Sequence, residues 1–163
     1  MRDVNHFRVG AGAGPLLLAL ALTAAHAEPD ARPVHVGSME SCHKGLVVWS
    51  TFPQSKCAWV GIPQVKIFDG AGRLRFIGSA LDAIKWAASG QPGTPIPGKV
   101  VVRDAATEAR ITHVAAPTPG HGWVAYYGTP GCEPCVRHLA MFRSEVMPKL
   151  GAGTSLSVFE LGE

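Results

Sequence analysis

The sequence predicts an α/β fold: a central sheet flanked by helices, with an extra β-hairpin. Three observations carry this. Short runs of β-branched and aromatic residues (65–68, 74–77, 123–127 and 156–161) are interspersed with segments of helical periodicity (81–88 and 136–146). Asp69-Gly70-Ala71-Gly72 joins the first two runs, and its glycines can take the positive φ angles that hairpin turns need. Cys132-Glu133-Pro134-Cys135 stands where an apolar run meets a helical segment, a junction typical of mixed sheets with functional loops.

The first 27 residues read as an export signal. Arg2 and Arg8 supply a positive start, residues 16–22 an apolar core, and Ala25-His26-Ala27 a small-x-small cleavage site. The apolar run is shorter than the ~20 residues that span a bilayer, so no stable membrane span is expected after cleavage. Removing residues 1–27 from the 163-residue chain leaves 136, enough for one domain with a real core. The charged residues fall from 15 basic and 12 acidic to 13 and 11. With no basic cluster, this balance gives no nucleic-acid footprint and no polybasic membrane patch.

Residues 28–45 are polar and Pro-containing and read as an N-terminal arm. Residues 46–49 form a short strand candidate, followed by the two strands of the 65–77 hairpin. Ser79 is placed to cap a helix, with Asp82 three residues on as an imperfect capping box. Leu81, Ile84 and Ala88 are expected to form its buried face. Residues 89–122 read as a Gly/Pro-rich linker carrying the extra hairpin, built from 100–102 and 109–114. Residues 123–127 form the strand that enters the cysteine motif. The helix beyond it carries Val136, Leu139, Phe142 and Val146 as an apolar stripe, and Pro148 and Gly151 end it. Residues 156–161 make a last strand.

All four cysteines, Cys42, Cys57, Cys132 and Cys135, come after the signal. An exported chain meets an oxidising compartment in which disulfides persist, and four cysteines allow three pairings. A bridge between Cys42 and Cys57 would close a short loop and contribute about 3 kcal/mol in the chain-entropy model. Cys132 and Cys135, three apart at the start of a helix, suit reversible thiol–disulfide exchange. Unpaired N–H groups and the positive end of the helix dipole favour thiolate at Cys132, the attacking sulfur. Cys135, one turn in, takes the resolving position. Pro134 fits an early helical position, where a missing N–H costs little. Glu133 opposes thiolate formation, and Arg137 and His138 oppose Glu133 more weakly.

Two other uses of the pair compete. Both cysteine pairs can be permanent staples in an envelope binding or assembly module. Alternatively Cys132, Cys135 and His138 can serve a periplasmic metal carrier, although no second ligand pair at zinc spacing exists. Haem attachment needs His directly after the second cysteine, and Val136 stands there. No phosphate-binding glycine loop after the signal, serine-nucleophile elbow or zinc-protease motif occurs. The reading therefore requires no cofactor and assigns no metal ligands.

On Cys132, Pro134 and Cys135, with a strand before and a helix and strand after, the chain resembles the thioredoxin-like superfamily. The family commonly has Trp before the first cysteine and Gly after it; here Gly131 and Glu133 occupy those places. The family's other half is a cis-proline loop, a hairpin and a final helix. Gly61-Ile62-Pro63-Gln64 and residues 65–88 resemble it. In the family the cysteine half comes first, so the resemblance implies a circularly permuted domain over 46–163. Its parts would be 46–88 as the proline half, 89–122 as linker with hairpin, and 123–163 as the cysteine half. It also implies that Ile62 and Pro63 form a loop that packs by the cysteines and binds an extended substrate segment. Cys57, close before this loop, would serve as a staple with Cys42 or as a relay for the Cys132 disulfide. Expected partners are protein dithiols or disulfides, and the expected place of action is the periplasm or the exterior.

Overall fold

The computed structural model describes residues 33–37, 49–52, 55–59, 62–96 and 100–162, with backbone alone for 49–59. Residues 1–27, expected to be an export signal, and Cys42 lie outside these residues. The architecture is α/β, with a five-stranded mixed open sheet and three helices among the described residues. The strands are β1 (Val34–Gly37), β2 (Trp49–Phe52), β3 (Ser55–Trp59), β4 (Gln64–Phe68), β5 (Leu74–Ser79), β6 (Trp123–Gly128) and β7 (Ser155–Gly162). The helices are α1 (Ala80–Ala88), α2 (Ala105–Thr112) and α3 (Glu133–Glu145). The main sheet runs β1-β7-β6-β4-β5; β2 and β3 form a separate antiparallel pair.

β6 lies at the centre, parallel to β7 and antiparallel to β4. A parallel pair needs a crossover, and α3 supplies it between β6 and β7. Both faces are covered, so every residue of β4 and β6 is buried. Side chains alternate between two cores. Trp123, Ala125, Tyr127, Phe68, Phe159 and Leu161 pack with Ala105 and Ala109 of α2. Val124, Tyr126, Val65, Ile67 and Val158 pack against α1 and α3 through Ala80, Ala83, Trp86, Phe142 and Val146.

The β4–β5 hairpin forms as expected. Asp69 organises its turn by accepting the N–H groups of Ala71 (3.0 Å) and Arg73 (2.9 Å), and Gly72 takes φ 75°. Ser79 caps α1: its Oγ accepts the Asp82 N–H at 3.1 Å and donates to the Asp82 carboxylate at 2.6 Å.

Four expectations are corrected. The extra hairpin at 100–114 is absent: residues 105–112 form α2 instead. Asp104 accepts the Thr107 N–H at 2.8 Å, and the Ala-rich first turn outweighs the β-branched Ile111 and Thr112. The arm at 28–45 contains a strand, β1, which finds its partner at the far end of the chain in β7. The buried face of α1 is Ala80, Ala83, Trp86 and Ala87, while Leu81 and Ala88 are exposed. In α3 the buried stripe includes Cys135 and Phe142, and Val136 is 71% exposed. In α1 the period is as expected but the phase is not, with only Ile84 of the expected face packed against the core; in α3 Phe142 and Val146 are buried and Leu139 packs against them as expected, and Val136 alone falls outside. The strand candidate at 46–49 overlaps β2 at Trp49; its earlier residues lie outside the described ones.

Candidate active site

β6 ends at Gly128, and the chain turns through Thr129-Pro130-Gly131 into α3. Gly131 sits at φ 68°, a left-handed conformation in which a side chain would be strained. This turn makes Cys132 the N-cap of α3. Its sulfur accepts the Cys135 N–H at 3.1 Å. Its carbonyl accepts from Val136 N at 3.2 Å, as an N-cap carbonyl should. Pro134 occupies the first helical turn, where no N–H is missed.

Cys132 and Cys135 are joined by a disulfide, with Cα atoms 5.2 Å apart. The two sulfurs differ in access. Cys132 is half-buried, while Cys135 is only 5% exposed. The side chain of Cys135 lies over Gly128, where an added Cβ would stand 3.4 Å from its Cβ and 3.6 Å from its sulfur. The absence of a side chain on Gly128 thus leaves room for the buried sulfur.

Tyr126, two residues before Gly128 and on the same face, donates its hydroxyl to the Cys135 carbonyl at 2.8 Å. Its ring also meets Phe142 edge-on at 6.1 Å. Burial raises its hydroxyl pKa well above the ordinary phenol value, so it stays a donor. Sequence patterning marks Tyr126 only as a core residue. The bond to the helix comes from the geometry of the β6–α3 turn.

The loop before β4 comes to the same end of the sheet. Gln64 stands opposite Tyr127 in the β4–β6 register, so Pro63 comes beside Gly128. The Ile62–Pro63 peptide is cis. Pro63 is buried, and its carbonyl accepts the Ala80 N–H at 3.1 Å. Cys57 lies on β3, of which the backbone alone is described, and the Cys42–Cys57 pairing falls outside the described residues. Glu133 and Arg137 are exposed, and His138 is half-buried. Among the described residues no group of three His, Cys, Asp or Glu side chains is placed to hold a metal, and no helix is long and apolar enough to cross a membrane.

On the opposite face of the sheet is a cluster that local sequence patterns miss. Lys66 on β4 donates to Glu108 of α2 at 2.7 Å, and Tyr127 donates to the other Glu108 oxygen at 2.5 Å. Neither Lys66 nor Glu108 has any exposed side-chain area. Burial pushes the Lys66 pKa down against the pull of Glu108, and burial pushes Glu108 up against Lys66 and Tyr127. A lysine inside the otherwise apolar strand 65–68 is the sequence signal that could have found it. Glu108, 42 residues away, carries none.

No protein-family model, curated protein or solved structure matches the chain.

Proposed function

We propose that this protein is an exported thiol–disulfide oxidoreductase with a circularly permuted thioredoxin-like domain, acting in the periplasm or outside the cell. The observation that carries the reading is the unequal pair at the mouth of α3: a half-buried Cys132 sulfur at the N-cap, bonded to a buried Cys135. The Cys135 N–H and the α3 dipole favour negative charge on Cys132. The same stabilisation makes Cys132 a good leaving group.

The permutation has support in the sheet. The half with the cis-proline loop, β4–β5 hairpin and α1 precedes the half with β6, the cysteines, α3 and β7. The halves meet along the antiparallel β4–β6 pair. That junction brings the Ile62–Pro63 loop to the end of the sheet from which the cysteine turn leaves.

The exchange balances without a bound cofactor. A partner thiolate attacks the Cys132 sulfur, the Cys132–Cys135 bond breaks, and Cys135 leaves as a thiolate that takes up a proton. A second partner thiolate attacks the partner sulfur of the mixed disulfide and releases Cys132. The partner loses two electrons and becomes a disulfide, and the protein gains them as a dithiol. The reverse sequence reduces a partner disulfide, with Cys132 attacking and Cys135 resolving.

The test is turnover of a disulfide-bonded peptide by glutathione in the presence of the purified protein. The wild type accelerates the exchange, Cys132→Ser abolishes it, and Cys135→Ser accumulates a mixed disulfide at Cys132 detectable by mass spectrometry. A Cys132→Ser variant as fast as wild type would refute the reading and leave a stapled scaffold.

A further inference from the structure

We infer that Tyr126 is a positioning residue for the disulfide couple: its hydroxyl, bound to the Cys135 carbonyl, holds the first turn of α3 where the Cys135 N–H meets the Cys132 sulfur. The inference rests on the exchange chemistry proposed for Cys132 and Cys135 and adds a residue outside the cysteine motif.

The geometry is a chain of two hydrogen bonds through one residue. Cys135 accepts from Tyr126 through its carbonyl (2.8 Å) and donates to Cys132 through its N–H (3.1 Å). Its own sulfur leaves from the Cα between those two groups. Pinning the carbonyl therefore fixes both the donor aimed at Cys132 and the position of the second sulfur. Within the turn the Cys132 carbonyl also accepts the Cys135 N–H at 3.0 Å and the Val136 N–H at 3.2 Å, but its side chains add little hold: Glu133, Pro134 and Val136 are all exposed. Tyr126 lies in the fully buried strand β6, paired on both sides by β4 and β7, so its hydroxyl reaches the helix from a backbone fixed in the sheet.

The consequence differs between oxidation states. In the disulfide, the sulfurs are neutral and held by a covalent bond, so the Cys135 N–H contributes little. After reduction, Cys132 carries negative charge and nothing covalent holds it. The N–H contact then matters more, because hydrogen bonds to charged groups are stronger. Loss of the Tyr126 hydroxyl should therefore weaken the dithiol more than the disulfide. It should raise the Cys132 thiol pKa and make the couple harder to reduce.

The experiment compares wild type, Tyr126→Phe and Phe142→Leu in glutathione buffers of graded potential. Alkylation reads the reduced fraction, thiolate absorbance reads the Cys132 pKa, and thermal unfolding reads stability. Tyr126→Phe is expected to shift the equilibrium toward the disulfide about two- to tenfold, the range of one hydrogen bond. That is roughly 10 to 30 mV at about 30 mV per tenfold change. Phe142→Leu loosens the same packing without removing the hydroxyl, and is expected to lower the melting temperature with the equilibrium unchanged. A Tyr126→Phe variant with wild-type equilibrium and thiol pKa would overturn the inference while the exchange reading stands. An equal shift in Phe142→Leu would also overturn it, because general loosening would then be the cause. A wild-type couple that never opens overturns the reading and the inference together.

Discussion

Replacing Lys66 by Met probes the charged cluster between β4 and α2. Lys66 and Glu108 are fully enclosed at 2.7 Å, so the substitution strands a carboxyl group with only the Tyr127 hydroxyl beside it. Removing one partner of a buried pair costs about 3–5 kcal/mol. At roughly 4 °C per kcal/mol for a domain of this size, the melting temperature should fall by about 10–20 °C. The loss should depend on pH. Burial already raises the Glu108 pKa, and Lys66 opposes that rise. Without Lys66 the folded state holds the Glu108 proton more tightly still. Stability from that proton is fully present below the unfolded carboxyl value of about 4.3, and is lost as pH rises through the raised folded value. Urea unfolding between pH 4 and 8, with the disulfide intact, should therefore show Lys66→Met least impaired at the acid end. Replacing Lys66, Glu108 and Tyr127 together by Met, Met and Phe removes every stranded polar group, and should return stability to within about 2 kcal/mol of wild type. A Lys66→Met protein within about 0.5 kcal/mol of wild type at every pH would refute the burial argument, since that is the scale of an ordinary surface change.

Two further substitutions test the site and the fold. Glu133→Gln removes an exposed carboxylate next to Cys132; it should lower the thiol pKa and make the couple more oxidising by less than about fivefold, and a shift the other way in glutathione buffers would contradict the assigned role. Asp104→Ala removes the cap of α2 and should cost about 1 kcal/mol in urea unfolding, with amide protection falling at 105–112; unchanged protection there would show that the cap does not hold the helix.

What was legible in the sequence was local. The Asp69–Gly72 turn, the Ser79 cap and the start of α3 at the cysteines each depend on a few neighbouring residues, and each is found where the pattern puts it. What was not legible depends on distant partners or on phase. Val34–Gly37 becomes a strand only because β7 lies beside it. Ile111 and Thr112 look like strand residues, yet the Thr112 hydroxyl bonds back to the Glu108 carbonyl at 2.8 Å and His113 ends the helix in a left-handed conformation. The period of α1 is readable, but the sheet decides which of its faces is covered, and it covers the alanines. In the candidate site the cysteines announce themselves, whereas Tyr126 and Gly128 matter only once β6 and α3 are folded against each other.

The most direct measurement is the reduction potential of the Cys132–Cys135 bond in the purified wild-type protein, read by trapping free thiols after equilibration across glutathione buffers. A couple that opens between about −300 and −120 mV is the predicted result. A bond that stays closed below about −300 mV would contradict exchange chemistry and mark the pair as a structural staple.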